Sequence, residues 1–185
     1  MTDEFSNKDR KMLLDLARET IENRINVKEM PEFNNISDKL RGKRGVFVTL
    51  HKKGALRGCI GYPLPVKPLI DAVKDNALSA AFEDPRFPPL DKEELKEIDI
   101  EISILTVPKK INKPEDVRVG IDGIIISKYG NRGLLLPQVP VEQGWDKEQY
   151  LSYGCLKAGL NGDAWREEVE IEVFQAEVFG ELNIE

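Results

Sequence analysis

The segment Ile98-Asp99-Ile100-Glu101-Ile102-Ser103-Ile104 constrains the fold more than any other part of this sequence. Strict alternation of this length fits a strand, because successive side chains on a strand point to opposite faces. One face is all isoleucine and the other all polar, so the strand belongs to a sheet with one side buried and one side open. Antiparallel sheets tolerate that arrangement, whereas parallel sheets are covered on both faces. Residues 44–51 alternate in the same way, with Val46, Val48 and Leu50 on one side and Phe47, Thr49 and His51 on the other.

Helical periodicities interrupt these strands in no regular order. Leu13, Ala17, Ile21 and Ile25 recur every four residues behind Ser6 and Asp9, an N-cap and a first-turn acid, and predict a helix ending before Pro31. Leu69, Val73, Ala77 and Ala80 predict a second, opened by Pro68 and closed before Pro85. Asp91 with Glu94 reads as a capping box for a short helix, and Asp146 with Gln149 as another, closed by Gly159. Strands near 123–127 and 133–136 flank a turn-rich connection and suggest a hairpin and a small subdomain, and a last strand starts with Val169, Ile171 and Val173. The length of 185 residues fits one domain. The order of elements predicts an α+β fold, an antiparallel or mixed β-sheet flanked by helices, and disfavours a doubly wound nucleotide fold.

A strand at residues 56–60 follows Lys52-Lys53-Gly54 and should pair with residues 44–51 as a hairpin. A three-residue turn with Gly54 left-handed pairs Leu50 with Leu56, Val48 with Gly58 and Val46 with Ile60, which makes one face wholly apolar. The opposite face gathers Phe47, Thr49, His51, Arg57 and Cys59, and Gly58 and Gly61 leave the backbone bare beside the thiol.

Charge narrows the function. The formal net charge is −6, from 27 Lys and Arg against 33 Asp and Glu. Residues 39–70 hold eight of those basic residues and no acid, so 19 remain against 33 elsewhere. An acidic protein with one basic segment suits an anionic ligand or an acidic protein surface. Nucleic acid is disfavoured, because no aromatics are interleaved with the basic residues. No phosphate-cradling glycine loop stands between a strand and a helix, and one histidine with two cysteines falls short of a zinc site, so neither cofactor nor metal is expected. The first residues carry no signal pattern and no apolar run reaches about 18 residues, so the chain reads as cytoplasmic, without a membrane span and with reduced thiols.

Candidate chemistry centres on Cys59. The thiolate is the reactive form of cysteine and nearby cations favour it, so Arg57 on the same face would activate the thiol, with His51, the one imidazole, as base. Each has a plainer reading: Cys59 a small core residue, Arg57 half of a salt bridge, His51 a solvated residue at a hairpin end. Lys52 and Lys53 read as charges that discourage edge pairing. Arg86, between Pro85 and Phe87-Pro88-Pro89, sits in a loop with so little freedom that it presents a guanidinium at small entropic cost, or pairs with Glu83 or Asp84. Cys155 reads as a core residue of its helix, and Trp145 and Trp165 as packing anchors.

Four motifs in order carry a family resemblance: Leu56-Arg57-Gly58-Cys59-Ile60-Gly61, Asp84-Pro85-Arg86-Phe87-Pro88-Pro89-Leu90, Leu135-Leu136-Pro137-Gln138-Val139 with Glu142-Gln143-Gly144-Trp145-Asp146, and Lys157-Ala158-Gly159-Leu160. From about residue 44 to residue 179 the chain resembles the AMMECR-type domain, named for the AMME chromosomal region gene one product. The resemblance implies a single such domain over residues 1–185, a larger and a smaller lobe, and a cleft near the residue 56–61 hairpin. The small lobe is expected within about 60–100 or 109–140. No established reaction comes with the family. An accessory or modifying role beside Memo-like and radical-SAM proteins does, since many prokaryotic members accompany them in one genetic system. The family motif falls on Arg57, Gly58, Cys59, Arg86, Pro137 and Trp145. Where many relatives read His-Gly after the mid-chain glycine, this chain has Gly120-Ile121-Asp122-Gly123, which removes a histidine partner for Cys59 and leaves Asp122 to orient a group or bind a cation.

Two readings follow. In one, a binding or accessory module presents a basic Cys/Arg cleft, with Gly58, Arg86 and Asp122 as ligand contacts, to an anionic ligand or acidic partner. In the other, an enzyme uses Cys59 as nucleophile while Arg57 and Arg86 bind an anionic substrate. The first is preferred, because no obvious general base stands in the sequence. Alkylation separates them: the enzyme reading expects iodoacetamide to modify Cys59 well ahead of Cys155 near neutral pH, and equal inertness of both thiols in peptide mass mapping removes its main support.

Overall fold

A computed structural model of the chain describes residues 5–32 and 36–184; residues 1–4, expected to lack a signal pattern, lie outside the described residues. The helices are α1 (Asn7–Ile25), α2 (Asp38–Arg41), α3 (Leu69–Phe82), α4 (Val139–Gln143) and α5 (Lys147–Lys157). The strands are β1 (Gly45–Lys52), β2 (Ala55–Tyr62), β3 (Ile98–Leu105), β4 (Lys109–Ile111), β5 (Gly123–Lys128), β6 (Asn131–Leu135), β7 (Glu170–Phe174) and β8 (Ala176–Gly180). They form two sheets, ordered β2-β1-β3-β8 and β4-β7-β5-β6, and the fold is α+β as expected. The chain divides into two compact units, Met1–Leu105 with Glu177–Glu185, and Thr106–Ala176.

In the first unit, β3 is the alternating isoleucine segment. Its Ile98, Ile100, Ile102 and Ile104 are buried together with Val46, Val48 and Leu50 of the antiparallel neighbour β1. α1 and α3 cover that face with Leu13, Leu16, Ala17 and Ile21, and with Leu69, Val73, Ala77 and Ala80. Ser6 and Asp9 cap α1 reciprocally, as the sequence predicts. Polar groups caught in this core are satisfied inside it: Thr20 donates to the Leu16 carbonyl at 2.6 Å, and the Asn76 amide to the Val46 carbonyl at 3.1 Å. The other face of the sheet is only half-buried and carries Phe47, Thr49, His51, Cys59, Asp99, Glu101 and Ser103.

The register of the β1–β2 hairpin differs from the sequence reading. Lys53 and Gly54 both take positive φ, 53° and 79°, so the turn has two residues and Lys52 faces Ala55. Continued unbroken, that turn would set Cys59 opposite Val48 on the core side. Arg57 prevents it as an extra residue in β2: His51 faces Leu56 while Leu50 faces Gly58, a β-bulge that shifts the ladder by one. Cys59 therefore faces Thr49, Gly61 faces Phe47, and Val48 faces Ile60 rather than Gly58. Past the bulge, residues 58–61 lie on the faces expected, but Leu56, expected on the core face, faces His51 and is exposed, and Arg57 is the buried bulge residue, because the hydrophobic pattern does not mark a bulge.

The second unit is built around β5, whose Ile124 and Ile126 are buried with Ile171 of β7 and with Tyr150, Leu151 and Cys155 of α5. Its hairpin, β5 to β6, is also turned by two residues of positive φ, Tyr129 and Gly130. Asp146 and Gln149 cap α5 reciprocally, and Gly159 follows its end with φ 71°. Trp145 and Trp165 pack partly buried against this core. Three local features depart from expectation. β4 is too short to show alternation, and the run starting at Val169 divides at Gln175 into β7 of one sheet and β8 of the other. Asp91 and Glu94 do bond reciprocally, the Glu94 N–H donating to Asp91 Oδ1 at 2.9 Å and the Asp91 N–H to Glu94 Oε2 at 3.4 Å, but the element they open is only a 3-10 turn, Glu94–Lys96.

Gly58 is where β2 and α3 meet backbone to backbone: a Cβ there would stand 2.1 Å from the Ala80 carbonyl oxygen. Gly58→Ala is expected to lower stability in urea unfolding by at least about 2 kcal/mol, since neither backbone can move aside cheaply. Gly162→Ala, with its nearest neighbours at 3.9 Å, serves as the comparison and is expected to stay within about 0.5 kcal/mol of the parent.

Candidate functional site

β2 is an edge strand, so the outward N–H and C=O of its middle residues need partners from outside the sheet. At Cys59 two side chains supply them. The Cys59 N–H donates to Asp84 Oδ2 at 2.9 Å, and Arg86 Nη2 donates to the Cys59 carbonyl at 3.2 Å. Asp84 also accepts from Arg86 Nε at 2.9 Å, Arg86 Nη2 at 2.7 Å and the Arg86 N–H at 3.1 Å. Further along, the Phe87 N–H donates to the Asp84 carbonyl and the Leu90 N–H to the Ala81 carbonyl. The proline-rich loop is thus fastened to β2 beside the thiol, and of the two acids expected to pair with Arg86 it is Asp84 that does.

The electrostatics of this cluster are local pairs. The Asp84 side chain is 2% exposed, while Arg86 keeps 54% of its side-chain surface in solvent. The Arg86 fork, with help from the Cys59 N–H, holds the Asp84 carboxyl far below the usual carboxylate range against the opposing effect of burial. Arg57, the bulged residue, is buried and bonded to Glu94 by Nε at 2.9 Å and Nη2 at 2.7 Å, and Nη2 also donates to the Pro88 carbonyl at 3.0 Å. Lys52 reaches the same carboxylate at 3.0 Å. Arg57 above all, with Lys52, lowers the Glu94 carboxyl to about 2. The Phe87 ring serves both guanidiniums, its centroid 5.8 Å from Arg57 and 5.5 Å from Arg86.

The thiol of Cys59 is half-buried on the open face, and the Thr49 hydroxyl donates to Sγ at 3.3 Å. His51 lies on that face beside Asp99, with Nδ1 3.5 Å from Oδ2. Cys155, by contrast, is fully buried, and burial pushes its thiol up. Asp122 belongs to the second unit, just before β5, where it is buried and bonded to Arg118 and Gln175. Burial pushes this carboxyl up, but the Arg118 and Gln175 hydrogen bonds outweigh it and the net shift is downward. The structure therefore gathers Arg57, Gly58, Cys59 and Arg86 about β2, sets His51 beside Asp99 on β1 and β3, and places Asp122 in the other unit.

Sequence reasoning missed Glu94 as the partner of Arg57 and the grip of Asp84 on the Cys59 backbone. The acid three residues after Asp91 was legible only as a cap, and nothing in spacing alone ties residue 94 to residue 57. Among the described residues, no group of three or more His, Cys, Asp or Glu could hold a metal ion, and no helix is long and apolar enough to cross a membrane.

A family model for AMMECR1 matches residues 14–179, nearly the whole of this architecture. The chain belongs to the AMMECR1 family. It is similar to a protein of Methanothermobacter thermautotrophicus, 48% identical over 185 residues and covering 96% of each chain. A protein of Nanoarchaeum equitans is 46% identical over 177 residues, which cover 91% of this chain and 98% of the relative. The crystal structure of an uncharacterized protein from Pyrococcus horikoshii is similar with a TM-score of 0.83 at 41% identity, covering 97% of this chain and 95% of that one. Two of the motifs that carry the AMMECR1 resemblance, residues 56–61 and 84–90, are the segments joined at Cys59.

Glu94 and Asp84 make this junction sensitive to acid. Both carboxyls are more acidic folded than their ordinary values of 4.5 and 3.8, so the folded state binds fewer protons and their stabilisation is complete above those values. It is lost as pH falls from 4.5 toward 2, where Glu94 takes up its proton. Urea midpoints measured across that window should fall steeply for the parent and less steeply for Glu94→Gln. At neutral pH the same variant should be less stable by on the order of 3 kcal/mol, because it strands the buried Arg57 charge.

Proposed function

We propose that this AMMECR1 chain is a binding module that offers a fixed arginine, Arg86, beside Cys59 to an anionic ligand or an acidic partner surface. The observation that carries the reading is the hold on Arg86. A surface arginine ordinarily gives up side-chain freedom when it binds, which costs affinity. Arg86 is already locked by its fork on a buried aspartate and by its bond to the Cys59 carbonyl, yet more than half of its side chain faces water. Gly58 and Cys59 supply the backbone platform. Arg57, neutralised by Glu94, braces the loop through Pro88 and Phe87 and does not meet the ligand.

A cytoplasmic accessory role beside Memo-like and radical-SAM proteins accords with this reading, with such a partner providing the acidic surface. The second reading, Cys59 as nucleophile, draws on the half-buried thiol on the open face, held by the Thr49 hydroxyl that donates to Sγ. There His51, oriented by Asp99, would act as base, and Arg86 would hold the anion of the substrate.

The binding reading is tested with a fluorescent oligoglutamate peptide. Affinity should fall several-fold between about 50 and about 300 mM salt. Arg86→Gln should weaken it about tenfold, and Cys59→Ser should change it by less than about twofold. Unchanged binding by Arg86→Gln, or loss through Cys59→Ser alone, contradicts the proposal.

A further inference from the structure

We infer a second contact surface, within the unit Thr106–Ala176, centred on Arg118 and fitted to an acidic peptide segment with an aliphatic neighbour. It extends the binding reading and rests on it.

The argument starts from Asp122, whose carboxylate has no capacity left for a ligand. Oδ2 accepts from the Arg118 N–H at 3.0 Å and Arg118 Nε at 2.9 Å; Oδ1 accepts from Arg118 Nη2 at 2.7 Å and Gln175 Nε2 at 3.2 Å. Four bonds fill the acceptor sites of a carboxylate. The solvent-facing member of the pair is Arg118, 58% exposed against 3% for Asp122. Asp84 and Arg86 are built the same way: a buried aspartate takes the fork of an exposed arginine and also that arginine's own N–H. An ion pair with one partner in solvent contributes little to stability, and burying the other partner carries a desolvation cost. The gain from the device is a guanidinium with its rotamers already fixed.

The surroundings of Arg118 select the ligand. Ile121 stands in the same turn, its N–H bonded to the Arg118 carbonyl at 3.1 Å, and is 44% exposed. Val141, 64% exposed, packs over Gly120 in that turn, where its Cγ2 lies 3.0 Å from the position a Cβ would take. A fixed cation flanked by two exposed aliphatic side chains matches a peptide carboxylate next to a leucine-like residue. A bare polyanion would leave the aliphatic pair uncovered.

The test uses the full chain and two labelled peptides of equal length, oligoglutamate and alternating glutamate and leucine. The parent should bind the mixed peptide several-fold more tightly. Arg118→Gln should weaken the mixed peptide about tenfold, and Val141→Ser should erase the preference while leaving oligoglutamate binding in place. Should Arg118→Gln fail to fold by circular dichroism, Arg118→Lys replaces it, keeping the charge but losing the fork, and a loss of at least about threefold is expected. Equal affinity of the parent for the two peptides, or a folded Arg118 variant that binds the mixed peptide like the parent, overturns this surface. If Arg86→Gln weakens both peptides and the Arg118 variant neither, the binding reading stands and the second surface falls. If the parent binds neither peptide, both fall.

Discussion

The bulge at Arg57 sets the side of the first sheet on which Cys59 stands, and the site follows from that choice. A two-residue turn alone would carry the thiol toward α3 and leave Gly58 outward. The extra residue restores the opposite parity, so that Gly58 can let α3 approach and Cys59 can face Thr49 on the open side. Arg57 itself, displaced from the regular ladder, is taken up by Glu94 and the Pro88 carbonyl. The bulge, the glycine contact and the buried pair support one another, since a bulge needs an anchor and a buried guanidinium needs a carboxylate.

In the basic segment of the sequence, Lys52, Lys53, Arg57 and Lys67 are each paired with an acid. Lys52 and Arg57 are met by Glu94, Lys52 also by Glu97, and Lys67 by Asp75, all acids from outside the segment. Arg86 is likewise met by Asp84. In the proposed binding reading, affinity would rest on where a guanidinium is held and how little it must reorganise, more than on net charge. The same arrangement, an exposed arginine held by a buried aspartate, recurs at Arg86 and Arg118.

Much of the scaffold was legible because it rests on short-range rules. Ser6 with Asp9 and Asp146 with Gln149 cap helices as their spacing requires, and the isoleucines of β3 are buried on alternate positions. The misreadings arise where a distant group intervened. Glu94 keeps its cap with Asp91 but also takes Arg57, β4 gains its pairing only from β7, and the final strand breaks at Gln175, where its two halves join different sheets. The structure brings together about β2 the candidates Cys59, Arg57, Gly58 and Arg86 named from residue type and motif, but the pairing of Arg57 with Glu94 was not legible, since the chain length between residues 57 and 94 hides it.

The sequence by itself determined the longer helices and strands, the buried face of β1 and β3, the membership of the family and the short list of chemically capable side chains. Those depend on periodicity, on caps within a turn and on local motifs. Tertiary structure decided the register of the hairpin, the identity of every carboxylate that neutralises an arginine, and which guanidiniums remain in solvent. The reason is that a bulge leaves no mark in the hydrophobic pattern, and that the burial of one member of a charge pair, or a pairing as distant as Arg57 with Glu94, depends on what packs around it.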